Sequence, residues 1–257
     1  MVRCYSLLCV AGLILAGCGT TATTVEQGLT LRVGVSPDYP PVIYKKDGQL
    51  CGIEADLATY VGAKMQYRID FIEMPFEELV PRLERGEIDV IMSGMSDTDA
   101  RRDVVRFTAP YAHIGQMALV RARDAGQYTA PGALAGATVR VGCLRGTTGE
   151  LYVKDNMPQA ECVAYEEPDA AAAALRARQV DVVIDDGPYV LYAVKQYPDV
   201  QALPWQLTDE SLAWAVSKES SSDFLYERLN RIVLHARQNG DLRAIINTYF
   251  EVQVRAR

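Results

Sequence analysis

The sequence predicts an α/β fold arranged as two lobes with a cleft between them, on three observations. Strand-length apolar runs alternate with helix-length amphipathic stretches along most of the 257-residue chain. The alternation restarts near residue 138, so two halves rich in β-α-β units follow one another. Residues 116–121 and 212–216 read as strands that connect the halves, and clefts between such halves are the usual ligand sites.

In the first half, residues 31–35 read as a strand, 57–65 as a helix and 67–72 as a strand. Phe76, Leu79, Val80 and Leu83 recur at helical spacing, so residues 76–85 read as an amphipathic helix, with a strand at 88–92 after it. In the second half the order is strand 138–143, helix 148–156, strand 162–165, Ala-rich helix 169–178, strand 180–184 and a helix from Pro188 to residue 197. Proline is well tolerated in a first helical turn. Leu225, Leu229, Ile232, Val233 and Ala236 form a stripe that predicts a helix over 224–237, and residues 241–250 read as a last helix.

The amino terminus carries one basic residue, Arg3, followed by an apolar run over 7–16. That run is shorter than the ~20 residues a membrane-spanning helix needs. It ends in Leu15-Ala16-Gly17-Cys18, which resembles a bacterial lipobox: residues 1–17 as signal peptide, Cys18 as the lipidated residue and polar 18–28 as a tether. The protein is then expected in the periplasm or on the outer face of the cell membrane, anchored through Cys18 and not crossing the bilayer. The formal net charge is −7, which argues against nucleic acid as a partner. Beyond Cys18 the cysteines are Cys51, Cys143 and Cys162, with no Cys-x-x-Cys spacing, and there are two distant histidines, His113 and His235. Neither a metal site nor a cofactor is expected. Cys143 and Cys162 are a possible pair in an oxidising compartment.

Residues 89–111 carry the most chemistry. They read Asp89-Val-Ile-Met-Ser-Gly-Met-Ser-Asp-Thr-Asp-Ala-Arg101, then Val105-Arg-Phe-Thr-Ala-Pro-Tyr111. A strand runs into the small residues Ser93, Gly94 and Ser96, and a helix starts at Asp97/Thr98 with Arg101 in its first turn. Small residues allow close approach to the backbone, a helix start offers free N–H groups to an anion, and an arginine holds a carboxylate by two parallel bonds. In the second half, Gly146-Thr147-Thr148 at a helix start offers a similar anion site, and residues 180–184 deliver Asp185 and Asp186 to the carboxyl end of an apolar strand. Adjacent strand residues point to opposite faces, which weakens a site shared by the two acids.

These segments resemble the family 3 solute-binding proteins, the amino-acid receptors of ABC importers. That family carries strand-Asp, a small-residue bend, Thr-x-x-Arg and Phe-Ser/Thr-x-Pro-Tyr, and residues 89–111 follow it almost position for position. Ser36-Pro-Asp-Tyr39-Pro-Pro41 and Gly52-Ile-Glu-Ala-Asp56-Leu resemble its opening, with Val42 and Ile53 replacing the usual Phe at two positions read as core. The resemblance implies a two-lobed type II periplasmic-binding fold. Its first lobe is discontinuous (29–117 and 211–257) and its second spans 118–210. It also implies roles. Arg101, the Ser93/Gly94/Ser96 bend and the Thr147/Thr148 turn take an amino-acid carboxylate, Asp186 takes the ammonium group, and Tyr39 and Phe76 flank the side chain. Ser36 stands where receptors for basic amino acids often place an acid, Asp38 and Asp185 are possible replacements, and Arg145 pulls toward an acidic or amide side chain. The expected ligand is a polar amino acid, glutamine-like or basic. The expected partner is an ABC permease, and the receptor is expected to be a monomer. The alternative is an enzyme on the same scaffold, similar to cyclohexadienyl or arogenate dehydratases, with Asp185 or Glu150 as the added acid.

Overall fold

A computed structural model describes residues 29–250. The expected signal peptide, Cys18 and tether lie outside the described residues. In chain order the elements are Thr30–Val35 (β1), Asp38–Tyr39 (β2), Ile43–Lys46 (β3), Gln49–Cys51 (β4), Ile53–Met65 (α1), Arg68–Glu73 (β5), Leu79–Glu84 (α2), Val90–Ile91 (β6), Asp99–Arg102 (α3), Val105–Phe107 (β7) and Ala112–Ile114 (β8). The second half holds Gln116–Arg121 (β9), Pro131–Ala135 (α4), Arg140–Leu144 (β10), Thr148–Asn156 (α5), Glu161–Tyr165 (β11), Pro168–Arg176 (α6), Val182–Asp186 (β12), Gly187–Gln196 (α7) and Val200–Gln206 (β13). The chain then returns through Glu210–Leu212 (β14) and Ala215–Ser217 (β15) to Asp223–Asn239 (α8) and Asp241–Phe250 (α9).

Each lobe is built on one five-stranded mixed sheet, ordered β5-β1-β6-β15-β7 in the first and β11-β10-β12-β9-β13 in the second. β5, β1 and β6 are parallel, as are β11, β10 and β12. Helices cover both faces, so the central strands carry apolar residues on both sides: Val33, Val35, Val90 and Ile91 in one lobe, Val141, Val182, Val183 and Ile184 in the other, all buried. α1, α8 and α9 pack on one face of the first sheet, and α2 packs on the other. The two lobes meet through β8 and β14, an antiparallel pair in register Glu210↔Ile114, Ser211↔His113, Leu212↔Ala112. β9 belongs to the second sheet from its first residue, Gln116 pairing with Asp186.

Four local features depart from the sequence reading. The helix expected over 76–85 opens as a 3₁₀ turn, Phe76–Glu78, and becomes α-helical only at Leu79. Pro81 explains this: without an N–H it fits the first turn of a helix but not the interior of one begun at Phe76. The strand expected over 212–216 is two pieces, β14 in the crossing and β15 in the first sheet, with Trp214 buried between them. The meander β2–β3–β4 went unread because its strands are 2–4 residues long and a Pro-Pro step separates the first two. β13 holds Pro204 at a sheet edge with irregular register, where sequence reading takes proline for a breaker.

Gly115 sits between β8 and β9, where the chain passes from one lobe to the other. A Cβ there would strike the backbone oxygen of Thr208 and the Gln206 side chain. Gly115→Ala is expected to cost about 1–3 kcal/mol in urea unfolding, the range of an overpacked site. A loss below about 0.3 kcal/mol would show that the two crossing segments are not packed backbone to backbone.

Candidate functional site

The cleft between the lobes has a volume of ≈ 640 Å³. It lies beyond the carboxyl ends of the parallel strands of both sheets, where α/β folds place ligands. β1 leads to Ser36, β5 to Phe76, β6 to Ser93 and Gly94, β10 to Thr147 and Thr148, and β12 to Asp185 and Asp186. All nine residues singled out from the sequence line it: Tyr39, Phe76, Ser93, Gly94, Ser96 and Arg101 from the first lobe, Thr147, Thr148 and Asp186 from the second.

At one end stands Arg101. Thr98 caps the short helix α3, its hydroxyl oxygen accepting from the Arg101 amide at 3.3 Å. The guanidinium donates to the Ser96 carbonyl at 2.9 Å and, across the cleft, to the Gly146 carbonyl at 3.3 Å. It also lies 5.4 Å from the centre of the Phe76 ring. None of the ion pairs among the described residues involves Arg101. Burial pulls its pKa down while Asp186 and Glu210 push it up, and an arginine keeps its charge in either case. Opposite, Thr147 caps α5, which leaves first-turn amides such as that of Thr148 without an intrahelical acceptor.

The small-residue bend works differently from the expectation. Ser93 Oγ accepts from the Ser36 amide at 2.9 Å. Gly94 has φ +66°, and its amide donates to Glu54 Oε1 at 3.1 Å, into the lobe and away from the cleft. Glu54 is fully buried, and its other oxygen accepts from Trp214 Nε1 at 2.9 Å. Burial raises its pKa to about 7, against the lowering by Tyr111, the Gly94 amide and Trp214. Glu54 was not picked out from the sequence. Its signal was an acid set among Ile53, Ala55 and Leu57, all of which are buried.

At the other end stand the two acids. The expectation that they face apart does not hold: both line the cleft and both are buried. The strand ends at Asp186, which begins the turn into α7, and its amide donates back to Asp185 Oδ1 at 2.7 Å. Tyr39 crosses the cleft to donate its hydroxyl to the same oxygen at 2.6 Å, and its ring stacks on Tyr189 with centroids 6.1 Å apart. Asp185 Oδ2 is buried without a partner. Asp186 accepts from Gln116 Nε2, which also donates to Thr148 Oγ1 at 2.9 Å. Gln116, missed in the sequence because it is one polar residue opening an apolar strand, thus ties the acid to the Gly-Thr-Thr turn. Desolvation raises both acids, Asp185 to about 7 and Asp186 to about 8, the latter helped by the neighbouring Asp185 and by Glu210.

Between these ends the wall is acidic. Asp38, Glu73, Glu77, Glu166 and Glu167 line it, and the one other base is Arg145, which pairs with Glu166 at 2.7 Å. Lys45 pairs with Glu73 from outside at 2.6 Å. Burial raises the Asp38 pKa, and Glu167 and Glu73 raise it further. Glu150, one of the two acids considered for an enzymatic role, bonds the Gly146 amide and Lys154 and is held below its ordinary pKa by them. Cys143 and Cys162 lie on adjacent strands with sulfurs 2.8 Å apart. No group of His, Cys, Asp and Glu among the described residues is arranged to hold a metal ion.

A profile of the family described as Bacterial extracellular solute-binding proteins, family 3, matches residues 31–252. The chain is 28% identical to a probable histidine-binding protein of Campylobacter jejuni, over 95% of this chain and 96% of that one. It is 26% identical to a putative ABC transporter arginine-binding protein of Escherichia coli K12, over 93% and 96%. Among solved structures, an ancestral amino acid-binding protein, a precursor of cyclohexadienyl dehydratase, superposes with TM-score 0.80 at 28% identity, covering 86% of this chain and 96% of that one. An amino acid ABC transporter substrate-binding protein of Streptococcus pneumoniae bound to L-arginine superposes with TM-score 0.79 at 26% identity, covering 86% and 94%.

Glu54, Asp185 and Asp186 all hold protons more tightly in the fold than in an unfolded chain. Their raised values stabilise the fold at low pH, and that stabilisation is lost as pH rises through about 7 and 8. The empty protein should therefore be more stable at pH 6 than at pH 8.5 by at least about 1 kcal/mol, or about 2–4 °C in melting temperature. A melting temperature that is flat or rises over that interval would contradict the burial of these acids.

Proposed function

Because the chain belongs to the bacterial extracellular solute-binding proteins of family 3, we propose that its cleft captures a cationic L-amino acid of the arginine type for delivery to an ABC permease. The observation that carries this reading is the distribution of charge in the cleft. Arg101 and the open amides of α5 meet the ligand carboxylate. Asp186, steadied by Gln116, meets the α-ammonium group, and Phe76 and Tyr39 border the side chain. Asp38, Glu77 and Glu167 then meet a distal cation, taking over from the acid that Ser36 lacks. Arg145 does not oppose this, because Glu166 already neutralises it. The names of relatives support the same class, histidine in one and arginine in others. All of these relatives are named as binding proteins, and Glu150 is engaged as an ionised cap, which weakens a dehydratase-like reading on this scaffold.

Capture works by rotation of the lobes about the β8–β14 crossing, the first lobe being taken as 29–115 with 211–250 among the described residues rather than from 29 to 117, because Gln116 already pairs with Asp186 in the second sheet. Arg101 to Gly146 and Tyr39 to Asp185 are the contacts that form when the lobes approach. The reading extends to Cys18 as a lipid anchor at the outer face of the membrane, with the receptor acting as a monomer.

Arg101→Ala should raise the Kd for L-arginine about 30-fold or more by calorimetry, since a buried ligand carboxylate left without its partner costs about 2–5 kcal/mol. Unchanged affinity would remove Arg101 from the site. Glu77→Gln combined with Asp38→Asn should weaken L-arginine at least about tenfold more than L-glutamine, because only arginine carries the distal charge. Equal losses for both would argue for an uncharged side chain.

A further inference from the structure

Asp185 has no place in the reading above, yet it is built into the cleft as firmly as Asp186. Its residue exposure is 5%, and that of Asp186 is 8%. Asp185 Oδ1 accepts two hydrogen bonds, from the Tyr39 hydroxyl and the Asp186 amide, while Oδ2 is buried with none. Neither carboxyl takes part in an ion pair among the described residues. An ionised oxygen left bare in a buried site is costly, and two adjacent carboxylates with no cation between them resist ionising together. The groups that face the pair leave this unrelieved. Tyr39 and Gln116 donate hydrogen bonds, and Tyr189 adds only a neutral ring. Glu210 adds a further acid, and the Arg101 guanidinium interacts with Asp186. Tyr111 is buried and neutral nearby.

We propose that Asp185 is a second acid of the ammonium subsite: in the empty cleft the Asp185–Asp186 pair retains one proton, and a ligand ammonium group takes that proton's place. The proposal rests on the receptor reading. The exchange is a simple one. The carboxyl O–H bond breaks, the proton passes to solvent, and both carboxylates then face the incoming cation. Binding is thereby linked to pH. Protons compete with the ligand, so affinity falls as the medium becomes more acid, and it does so for any amino acid that brings an ammonium group to this end of the cleft. Asp185 also sets a preference against ligands that lack this cation, because they leave the proton in place and gain nothing from the second acid.

Calorimetry of the purified protein with L-arginine, at pH 7 in two buffers of different ionisation enthalpy, reads the released proton directly. About 0.5–1 proton should leave per arginine bound, and Kd should rise by up to about tenfold per pH unit between pH 8 and 6. Asp185→Asn, which keeps the shape and removes the like charge, should still bind arginine while releasing less than half as many protons and with a flatter pH dependence. Binding without proton release in the unaltered protein, or identical release in the variant, would overturn the proposal. The empty protein gives an independent reading through the infrared carbonyl band of a protonated carboxyl. That band should vanish between pH 6 and 9 and be weakened in Asp185→Asn. If no cationic amino acid binds, the receptor reading fails, and this band still decides whether the shared proton exists; its absence overturns the proposal.

Discussion

A half-buried guanidinium at one end of the cleft and two buried carboxyls at the other have no ion-pair partner among the described residues, and much of the surrounding structure serves to keep them so. Arg101 could have been neutralised by an acid of its own lobe, as Arg102 is by Asp97 at 2.6 Å one residue further on. Instead its donors rest on two carbonyls, which hold it in place and leave its charge uncompensated. Charges of this kind are unfavourable in the empty protein and become favourable when a molecule carrying the opposite pattern arrives. An amino-acid zwitterion carries that pattern, negative at one end and positive at the other.

The fold supplies the rigidity this arrangement needs. Each charged group stands at the end of a buried strand or in the first turn of a helix, and each has a supporting contact. Thr98 caps the Arg101 turn, Glu54 holds the Gly94 bend from behind through a 3.1 Å bond, and Gln116 joins Asp186 to Thr148. Both sheets present their parallel carboxyl ends to one space, so two sets of independently braced groups converge there. The lobes are joined by β8 and β14, a short antiparallel pair that belongs to neither five-stranded sheet.

Much of this was legible in the sequence because it depends on local pattern. Alternating runs gave the strands and helices, and Thr98, Arg101, Thr147 and Asp186 were readable because capping residues and charges at element ends have a fixed meaning. What escaped depends on contacts far apart in the chain. Glu54 acquires its role from Gly94 and Trp214, 40 and 160 residues away. Gln116 acquires its role from residues 32 and 70 positions on. Asp185 was read as a selectivity or enzymatic acid, and strand alternation argued against its sharing a site with Asp186, a rule that fails where the strand ends and the chain turns into a helix. The split at Trp214 and the 3₁₀ turn before Pro81 show the same limit, tertiary packing and a missing N–H deciding what periodicity alone left open.

The most direct measurement is a melting-temperature panel on the purified protein against the twenty amino acids, with prephenate included. A ligand that binds only the folded state raises the melting temperature as its concentration exceeds its Kd. A cleft that matches a cationic zwitterion should respond to arginine and its basic relatives, less to glutamine, and not to glutamate or to prephenate. A panel flat for every amino acid, with prephenate stabilising the protein or being consumed by it, would contradict the account and make the cleft an enzyme's.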